Sequence, residues 1–147
     1  MFKILISNDD QMETAFLKGL LAEEGYQVEV SQGIKETLHN IAFKSYQALI
    51  LGVDVEGRKG MEVIPSVRAV DKDIPIITIV GQDSIETQKK VREQKIFYYF
   101  VRPVNPQELK AVLERVFLKS KSKKFSFQDG RFYHLSLDKE VKGLRKD

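Results

Sequence analysis

The sequence predicts an α/β fold: a doubly wound parallel sheet of five strands with five helices. Two observations lead to this prediction. Five short runs rich in Ile, Val, Leu and aromatic residues alternate along the 147-residue chain with five longer segments of helical hydrophobic period. Runs of this composition are typical of strands that are buried in a parallel sheet.

The five apolar runs are the predicted strands. Because helix-period segments separate them, each pair of successive strands is expected to be joined by a right-handed crossover. In chain order the predicted strands are Phe2–Ser7, Tyr26–Ser31, Gln47–Leu51, Pro75–Val80 and Ile96–Val101.

The segments between the strands are the predicted helices, and single residues mark several of their ends. Gly25 is favourable just past the first helix. Pro65 falls near the start of the third, where a missing N–H is tolerated. Asn105 is expected to cap the fifth, with Pro106 at its first position. The predicted helices are Met12–Glu24, Ile34–Lys44, Met61–Val70, Ser84–Glu93 and Pro106–Leu118.

Composition excludes several kinds of protein. The chain is 42% hydrophobic and 31% charged, its apolar runs are too short to span a bilayer, and it has no cysteine. Disulfides, thiolate metal sites and cysteine nucleophiles are therefore excluded. The N-terminus lacks the features of a signal peptide, so we expect a cytoplasmic protein without a membrane partner. We assign no chemistry to His39 or His134, which have no partners at metal-ligand or catalytic spacing.

Charge is distributed unevenly along the chain. Residues 1–118 carry 15 Lys and Arg against 17 Asp and Glu, whereas residues 119–147 carry 9 against 4. The basic excess begins with the run at residues 119–124, which we interpret as a solvated linker; a nucleic-acid patch is the alternative. The rest of the chain gives no electrostatic indication of nucleic-acid binding.

In a doubly wound sheet the functional crevice lies at the carboxyl ends of the strands. The residues that directly follow the strands are therefore the candidates for a site. These are Asn8–Asp10, Gly52–Gly57, Val80–Gln82 and Arg102–Pro103.

Five motifs carry a resemblance to a known family. They are KILISNDD, GYQVEVSQG, YQALILGVDVEGRKGMEVI, IPIITIVGQ and YYFVRPVNPQELKAVL. In order and spacing they resemble the receiver domain of two-component response regulators, over residues 1–118. The resemblance implies a flavodoxin-like sheet with the strand order 2-1-3-4-5.

Receivers of this family take a phosphoryl group on an aspartate at the end of the third strand, assisted by Mg²⁺. A hydroxyl after the fourth strand and a lysine after the fifth also take part. By resemblance the acceptor position falls on Gly52, six residues after Tyr46. The hydroxyl position falls on Val80, and the lysine position falls on Arg102, which Pro103 follows.

The acidic positions of the family fall on Asn8 and Asp9, with Asp10 next to them, and its aromatic switch falls on Tyr99. Mg²⁺ requires near-octahedral oxygen ligation. Without an acceptor carboxylate we expect no resident cofactor, and at most weak Mg²⁺ binding at Asp9 and Asp10. The other interpretation is that these carboxylates form an ion pair with Arg102.

The departures from the family indicate a dismantled phosphorylation site. Glycine offers no nucleophile at position 52, and the Val80 side chain cannot hydrogen-bond a phosphoryl group. Arg102 keeps a positive charge but has a planar fork suited to carboxylates. The rival interpretation makes Asp54 a displaced acceptor, which requires a two-residue slip in the loop; otherwise Asp54 is an ordinary loop residue.

The sequence is similar to the winged-helix transcription-factor subfamily, whose receivers dimerise through the fourth helix, fifth strand and fifth helix. The apolar stripe of the fifth helix packs on the sheet, serves the interface, or does both. That stripe is Leu109, Val112, Leu113 and Val116. The expected homodimer face consists of Lys89, Lys90, Arg92, Glu93, Tyr99, Glu108, Leu109, Glu114 and Arg115.

Residues 125–147 alternate apolar and polar side chains around a turn at Asp129 and Gly130, which predicts a β-hairpin. This hairpin resembles the small sheet that opens the DNA-binding domain of the same subfamily; a hairpin that packs back on the receiver is the alternative. We expect the sequence to be a fragment, with DNA binding only through a domain beyond Asp147.

Two functions follow from these patterns. The first is a phosphorylation-independent receiver, a regulatory and dimerisation module of a transcription regulator, with no enzymatic activity and no expected partner kinase. The second is a phosphorylatable receiver that uses Asp54 with Mg²⁺. A flavin-binding protein of the same fold is disfavoured, because the acidic loop Asn8–Asp10 would repel the phosphate that such proteins bind.

Overall fold

The five strands form one parallel sheet in the order β2-β1-β3-β4-β5, as the computed structural model of the protein shows. This confirms the predicted fold and strand order. The structure describes residues 2–53 and 61–121, without the side chains of Glu62 and residues 119–121. Asp54, the last part of the basic linker and the hairpin predicted at residues 125–147 lie outside the described residues.

Helices and strands alternate along the described chain, and none of the helices in this part is long and apolar enough to cross a membrane. The strands are β1 Lys3–Ser7, β2 Gln27–Ser31, β3 Ala48–Gly52, β4 Ile76–Val80 and β5 Tyr98–Val101. The helices are α1 Gln11–Glu23, α2 Gly33–Phe43, α3 Ile64–Val70, α4 Ile85–Glu93 and α5 Pro106–Lys121.

Short polar residues begin the helices that flank the crevice. The Asp10 carboxylate accepts a hydrogen bond from the Glu13 N–H at 2.9 Å, and Ser84 accepts one from Thr87 at 3.0 Å. Asn105 accepts from two N–H groups of the first turn of α5, so its predicted role as a cap is confirmed. These caps fix where α1, α4 and α5 start relative to the strand ends.

Two helix boundaries differ from the prediction by more than one residue. The third helical segment begins as a separate 3₁₀ turn, Met61–Val63, before α3 starts at Ile64. Pro65 has no N–H to continue a helix that began earlier. At the other end of the chain α5 continues to Lys121, so the first residues of the predicted linker are helical; lysine is a good helix former.

The sheet is covered on both faces, and the side chains of each strand alternate between the two cores. On one face Ile50 and neighbouring residues pack against α1 and α5. On the other face Leu51 and Val53 pack against α2, α3 and α4. This alternation puts the side-chain position of residue 52 on the α1 side of the crevice.

Candidate functional site

The position expected to accept a phosphoryl group is closed by a neighbouring side chain. Gly52 ends β3, and Asn8 follows β1, its neighbour in the sheet. A Cβ atom added to Gly52 would lie 2.2 Å from Oδ1 and 2.5 Å from Cγ of Asn8. The Asn8 amide therefore fills the space into which any side chain at position 52 would project.

Hydrogen bonds hold the Asn8 amide in this place. Its Nδ2 donates to Oε1 of Glu13 at 2.8 Å, and its Oδ1 accepts from the Asp10 N–H at 3.2 Å. Because both ends of the amide are engaged, rotation away from Gly52 would break one or both hydrogen bonds.

Arg102 joins the same network from β5. Its Nε lies 3.0 Å from Oε2 of Glu13, and its Nη2 lies 3.1 Å from Oε1. Its Nη1 donates to the carbonyl oxygen of Val53 at 2.7 Å. Asn8, Glu13 and Arg102, called here the carboxyl-end network, thus connect β1, α1, the end of β3 and the end of β5.

The partner of Arg102 differs from the one that the sequence suggested. We expected Asp9 or Asp10, but the guanidinium binds Glu13, while the Asp10 carboxylate caps α1. Sequence reasoning missed Glu13 because it considered only residues that directly follow a strand. The available signal was its place three residues after the capping Asp10, in the helical turn that overhangs the crevice.

The hydroxyl position and the aromatic switch position are buried. Val80 is 5% exposed, and Tyr99 is 1% exposed with its hydroxyl donating to Asp83 Oδ1 at 2.7 Å. Pro103 is exposed and follows Arg102 through a cis peptide bond. The Tyr99–Asp83 hydrogen bond ties the connection between β4 and α4 to β5.

The expected dimer face is only partly on the surface. Leu109 is 1% exposed and packs in the core, so its assignment to a dimer contact is wrong. The apolar stripe of α5 packs against the sheet. Tyr99 is equally buried, and Glu108 accepts a hydrogen bond from the Tyr98 hydroxyl. Side chains that remain exposed are Lys89, Arg92, Glu93, Glu114 and Arg115, with Lys90 half-buried.

A cavity of about 710 Å³ opens beside the network, on the side of the sheet that carries α2 and α3. It extends from the loop after β1 to the start of α2. The described residues that line it are Ser7, Asn8, Asp9, Asp10, Gln32, Gly33, Ile34, Lys35, Leu51, Gly52, Val53, Val63 and Arg102. Within the described ranges, no three His, Asp or Glu side chains are grouped so that they could hold a metal ion.

A second charged cluster lies toward the amino ends of the strands. Glu29 accepts hydrogen bonds from the Tyr46 hydroxyl at 2.5 Å and from Lys44 at 3.2 Å, and it pairs with Lys3 at 3.2 Å. The Tyr46 hydrogen bond is the main reason that the pKa of Glu29 is lowered to about 2, and the two lysines lower it further. Burial, followed by the hydrogen bond to Glu29 and then the Glu29 charge, raises the pKa of Tyr46. These four residues are called the amino-end cluster below.

Comparison with known proteins agrees with this geometry. The family model described as response regulator receiver domain matches residues 4–114. The response regulator MprA of Mycobacterium ulcerans is 28% identical over 139 residues, covering 92% of this chain and 60% of that protein. The DNA-binding transcriptional regulator NtrC of Azospirillum brasilense is 27% identical over 112 residues, covering 76% of this chain and 23% of that protein.

Among solved structures, response regulator protein TrrA of Thermotoga maritima, in complex with Mg²⁺ and BeF, superposes with a TM-score of 0.68. It is 27% identical, and the match covers 79% of this chain and 99% of that one. The match therefore covers nearly all of the TrrA structure, whereas the chain spans 60% of the MprA and 23% of the NtrC relative.

Proposed function

Because the chain belongs to the response regulator receiver domain family, we propose that it is a receiver that works without phosphorylation, as a regulatory and dimerisation module of a transcription regulator. The contact between Gly52 and Asn8 carries this proposal. The acceptor position has no nucleophile, and the neighbouring amide occupies the space of an acceptor side chain.

The pairing of Arg102 supports the same function. Glu13 neutralises the guanidinium with three hydrogen-bond contacts, and the Val53 carbonyl takes another of its N–H groups. A phosphoryl group would have to displace a carboxylate whose side chain is only 12% exposed.

The same contacts do not suit a resident Mg²⁺ ion. The Asp10 carboxylate caps α1, the Asn8 amide binds Glu13, and the Arg102 guanidinium lies 2.7 Å from the Val53 carbonyl oxygen. A divalent cation needs several oxygen ligands, and here the Val53 carbonyl oxygen and the Asp10 carboxylate already accept hydrogen bonds from the protein. We therefore propose that the protein does not require magnesium.

Homodimerisation through α4, β5 and α5 is supported by the charges left on that surface. Each of the two helices exposes both signs: Arg92 with Glu93 on α4, and Arg115 with Glu114 on α5. A two-fold axis would place such mixed charges opposite each other in a self-complementary contact. The Tyr99–Asp83 hydrogen bond favours one fixed position of α4, which a dimer independent of phosphorylation needs.

A role in transcription is supported by the relatives, which are named as response or transcriptional regulators. The match to MprA covers 92% of the chain and so includes residues past the receiver match, which ends at residue 114. We propose that residues 125–147 begin a DNA-binding domain and that DNA is contacted only through that domain.

Acetyl phosphate tests the central part of the proposal. The protein is incubated with acetyl phosphate and Mg²⁺, and its intact mass is measured, with a receiver that has an acceptor aspartate as the positive control. We expect an unchanged mass, because position 52 offers no nucleophile. An acid-labile adduct that disappears in Asp54→Ala would establish the rival function instead.

Sedimentation velocity of the same samples tests the dimer. We expect self-association that is equal with and without acetyl phosphate and that weakens as salt rises. Arg92→Glu should weaken it, whereas Lys18→Glu, an exposed charge reversal on α1, should not. A monomer at all concentrations, or a dimer that forms only with the phosphodonor, contradicts the proposal.

A further inference from the structure

The side of α1 that points away from the sheet is apolar. Leu17 and Leu21 are buried in the core, yet Met12 is 84% and Phe16 is 45% exposed. A surface helix normally carries polar or charged side chains on the face opposite the core. Four exposed residues at the spacing of one helix stripe are called here the outer α1 face: Met12, Ala15, Phe16 and Gly19.

The outer α1 face has a ridge and a groove. Met12 and Phe16, four residues apart, form a row of large side chains, and Ala15 and Gly19 form a row of small ones beside it. A Cβ atom added to Gly19 would meet nothing within 4 Å, so the groove is open there. An apolar side chain of another segment fits into such a groove and covers the exposed ridge.

The end of α1 is acidic. Glu23 and Glu24 lie at its C-terminus, and its last turn contains no basic residue. Glu24 pairs with Lys110 of α5 at 3.8 Å, and Glu23 is exposed. The free carbonyl groups of a helix C-terminus add partial negative charge. This end of α1 therefore attracts cationic side chains.

The chain leaves α5 beside this acidic end. The ring of Phe117 lies 5.6 Å from that of Tyr26, which follows the end of α1 by two residues. α5 ends one helical turn later, at Lys121, and the sequence continues with Ser122, Lys123 and Lys124. The second half of the basic run therefore starts close to the carboxylates at the end of α1.

The residues that follow the lysines have the length and composition to cover the outer α1 face. From Glu23 back to Met12 the helix measures roughly 16 Å, at about 1.5 Å per residue. Residues 122–137 can reach about 50 Å when extended, at about 3.3 Å per residue. Six of them are aromatic or leucine: Phe125, Phe127, Phe132, Tyr133, Leu135 and Leu137.

We propose that residues 122–137 of the chain itself dock on the outer α1 face. Lys123 and Lys124 lie beside Glu23, and the apolar side chains that follow cover the ridge and enter the groove at Gly19. This inference goes beyond the proposed function, because it assigns the segment a surface on the receiver whether or not a DNA-binding domain follows. Docking on α1 leaves the surface of α4, β5 and α5 free for the dimer.

A pair of introduced cysteines tests the contact in the full chain, which has no cysteine of its own. Ala15→Cys combined with Ser126→Cys should form a disulfide within one chain under mild oxidation, identified by peptide mass. Ala42→Cys combined with Ser126→Cys is the control. Ala42 is also exposed, and it lies one residue before the end of α2, toward the amino ends of the strands, where α5 ends too. The first pair should form several-fold faster.

Proteolysis tests the apolar part of the contact. Chymotrypsin should cut at the aromatic residues of the segment several-fold faster in Phe16→Asp than in the native chain, because a charge on the ridge disfavours docking. Phe43→Asp changes another exposed phenylalanine, on α2, and should leave the rate unchanged. Urea unfolding of both variants checks that they are folded, and the cysteine pairs test the contact without either substitution.

Charge reversal tests the basic part. Glu23→Lys should also speed the cleavage, by repelling Lys123 and Lys124. Lys123→Glu and Lys124→Glu, added together to Glu23→Lys, should slow it again. The same two substitutions in the native chain should speed it.

Three results would overturn the proposal. The first is an equal rate of disulfide formation for the two cysteine pairs, which would mean that the segment has no preferred surface. The second is equal cleavage of the native chain and Phe16→Asp. The third is a disulfide between two chains instead of within one, which would make a second copy the occupant of the outer α1 face. None of these results depends on whether acetyl phosphate modifies the protein.

Discussion

The two charged clusters of the molecule hold their carboxylates in different surroundings. In the carboxyl-end network the side chains of Glu13 and Arg102 are 12% and 25% exposed. In the amino-end cluster Glu29 is 32% exposed, and Lys44, one of its two lysines, is 47% exposed. A shielded pair leaves an uncompensated charge when one member is removed, whereas a half-solvated pair is screened by water and salt.

This difference indicates that the carboxyl-end network is a structural element. It joins four segments at the strand ends, in the place where the family binds a phosphoryl group and a metal ion. A cluster that satisfies its own charges needs neither ligand to keep these segments together. The amino-end cluster joins β1 and β2, which the sheet already pairs, to the connection between α2 and β3, and because its charges are more exposed it should contribute less.

The largest effect is expected from Glu13→Gln. This substitution keeps the size of the side chain but leaves the Arg102 guanidinium charged and largely shielded. The free energy of unfolding should fall by about 2–3 kcal/mol, since a shielded charge loses its partner. Urea unfolding at neutral pH measures it. Glu24→Gln is the control. It breaks the ion pair with Lys110 at 3.8 Å, in which the side chains of Lys110 and Glu24 are 47% and 35% exposed.

Equal losses of stability in Glu13→Gln and Glu24→Gln would contradict the view that the carboxyl-end network is more shielded than an exposed ion pair. An exposed pair is worth at most about 1 kcal/mol. A loss of that size for Glu13→Gln would mean that water reaches the network freely.

A second, smaller effect is expected from Gly52→Ala. The new methyl group would collide with the Asn8 amide at 2.2 Å, and the hydrogen bonds of Asn8 resist its displacement. We expect a loss of about 1–2 kcal/mol. Gly19→Ala is the matched control, because its added Cβ meets nothing within 4 Å and alanine favours the helix.

A double-mutant cycle sharpens this prediction. In an Asn8→Ala background the space beside position 52 opens, so adding the methyl group at Gly52 should cost less than in the native chain. The coupling should amount to about 1 kcal/mol, measured by urea unfolding of the four proteins. Additive effects would show that Asn8 is not what closes the acceptor position.

The strands and the strand order could be predicted from the sequence because buried parallel strands have a simple local signature. Spacing from Tyr46 placed Gly52 at the end of the third strand, and the motif that contains Pro103 placed Arg102 just after the fifth. The structure has both residues at these places. The pairing of Arg102 with Glu13 could not be predicted, because the two residues are 89 positions apart. Their contact depends on which side of the first turn of α1 overhangs the crevice.

The burial of α5 shows a related limit. An apolar stripe on a helix predicts that one face is covered, but it does not say whether the sheet or a second chain covers it. Leu109 was predicted to belong both to the apolar stripe and to the dimer face, and in the structure it is buried in the core. Most of the charged residues around the stripe are exposed on the single chain, as an amphipathic helix predicts.

The smallest effect is expected at the amino-end cluster, and it depends on pH. Glu29 has a folded-state pKa of about 2, below its ordinary value of 4.5. A lowered pKa means that the folded state binds the proton less readily than the unfolded state. Glu29 therefore stabilises the fold fully above about pH 5, and this contribution is lost as the pH falls toward 2.

The wild-type protein should accordingly lose more stability between pH 6 and pH 3 than Glu29→Gln does, when both are measured by urea unfolding. Because Glu29 is about one-third exposed, the difference should be no more than about 1 kcal/mol. Tyr46→Phe removes the main cause of the lowered Glu29 pKa. This variant should therefore lose less stability in acid than the wild type, though still more than Glu29→Gln. If Glu29→Gln shows the same acid loss as the wild type, the lysines and the tyrosine do not hold Glu29 in its charged form.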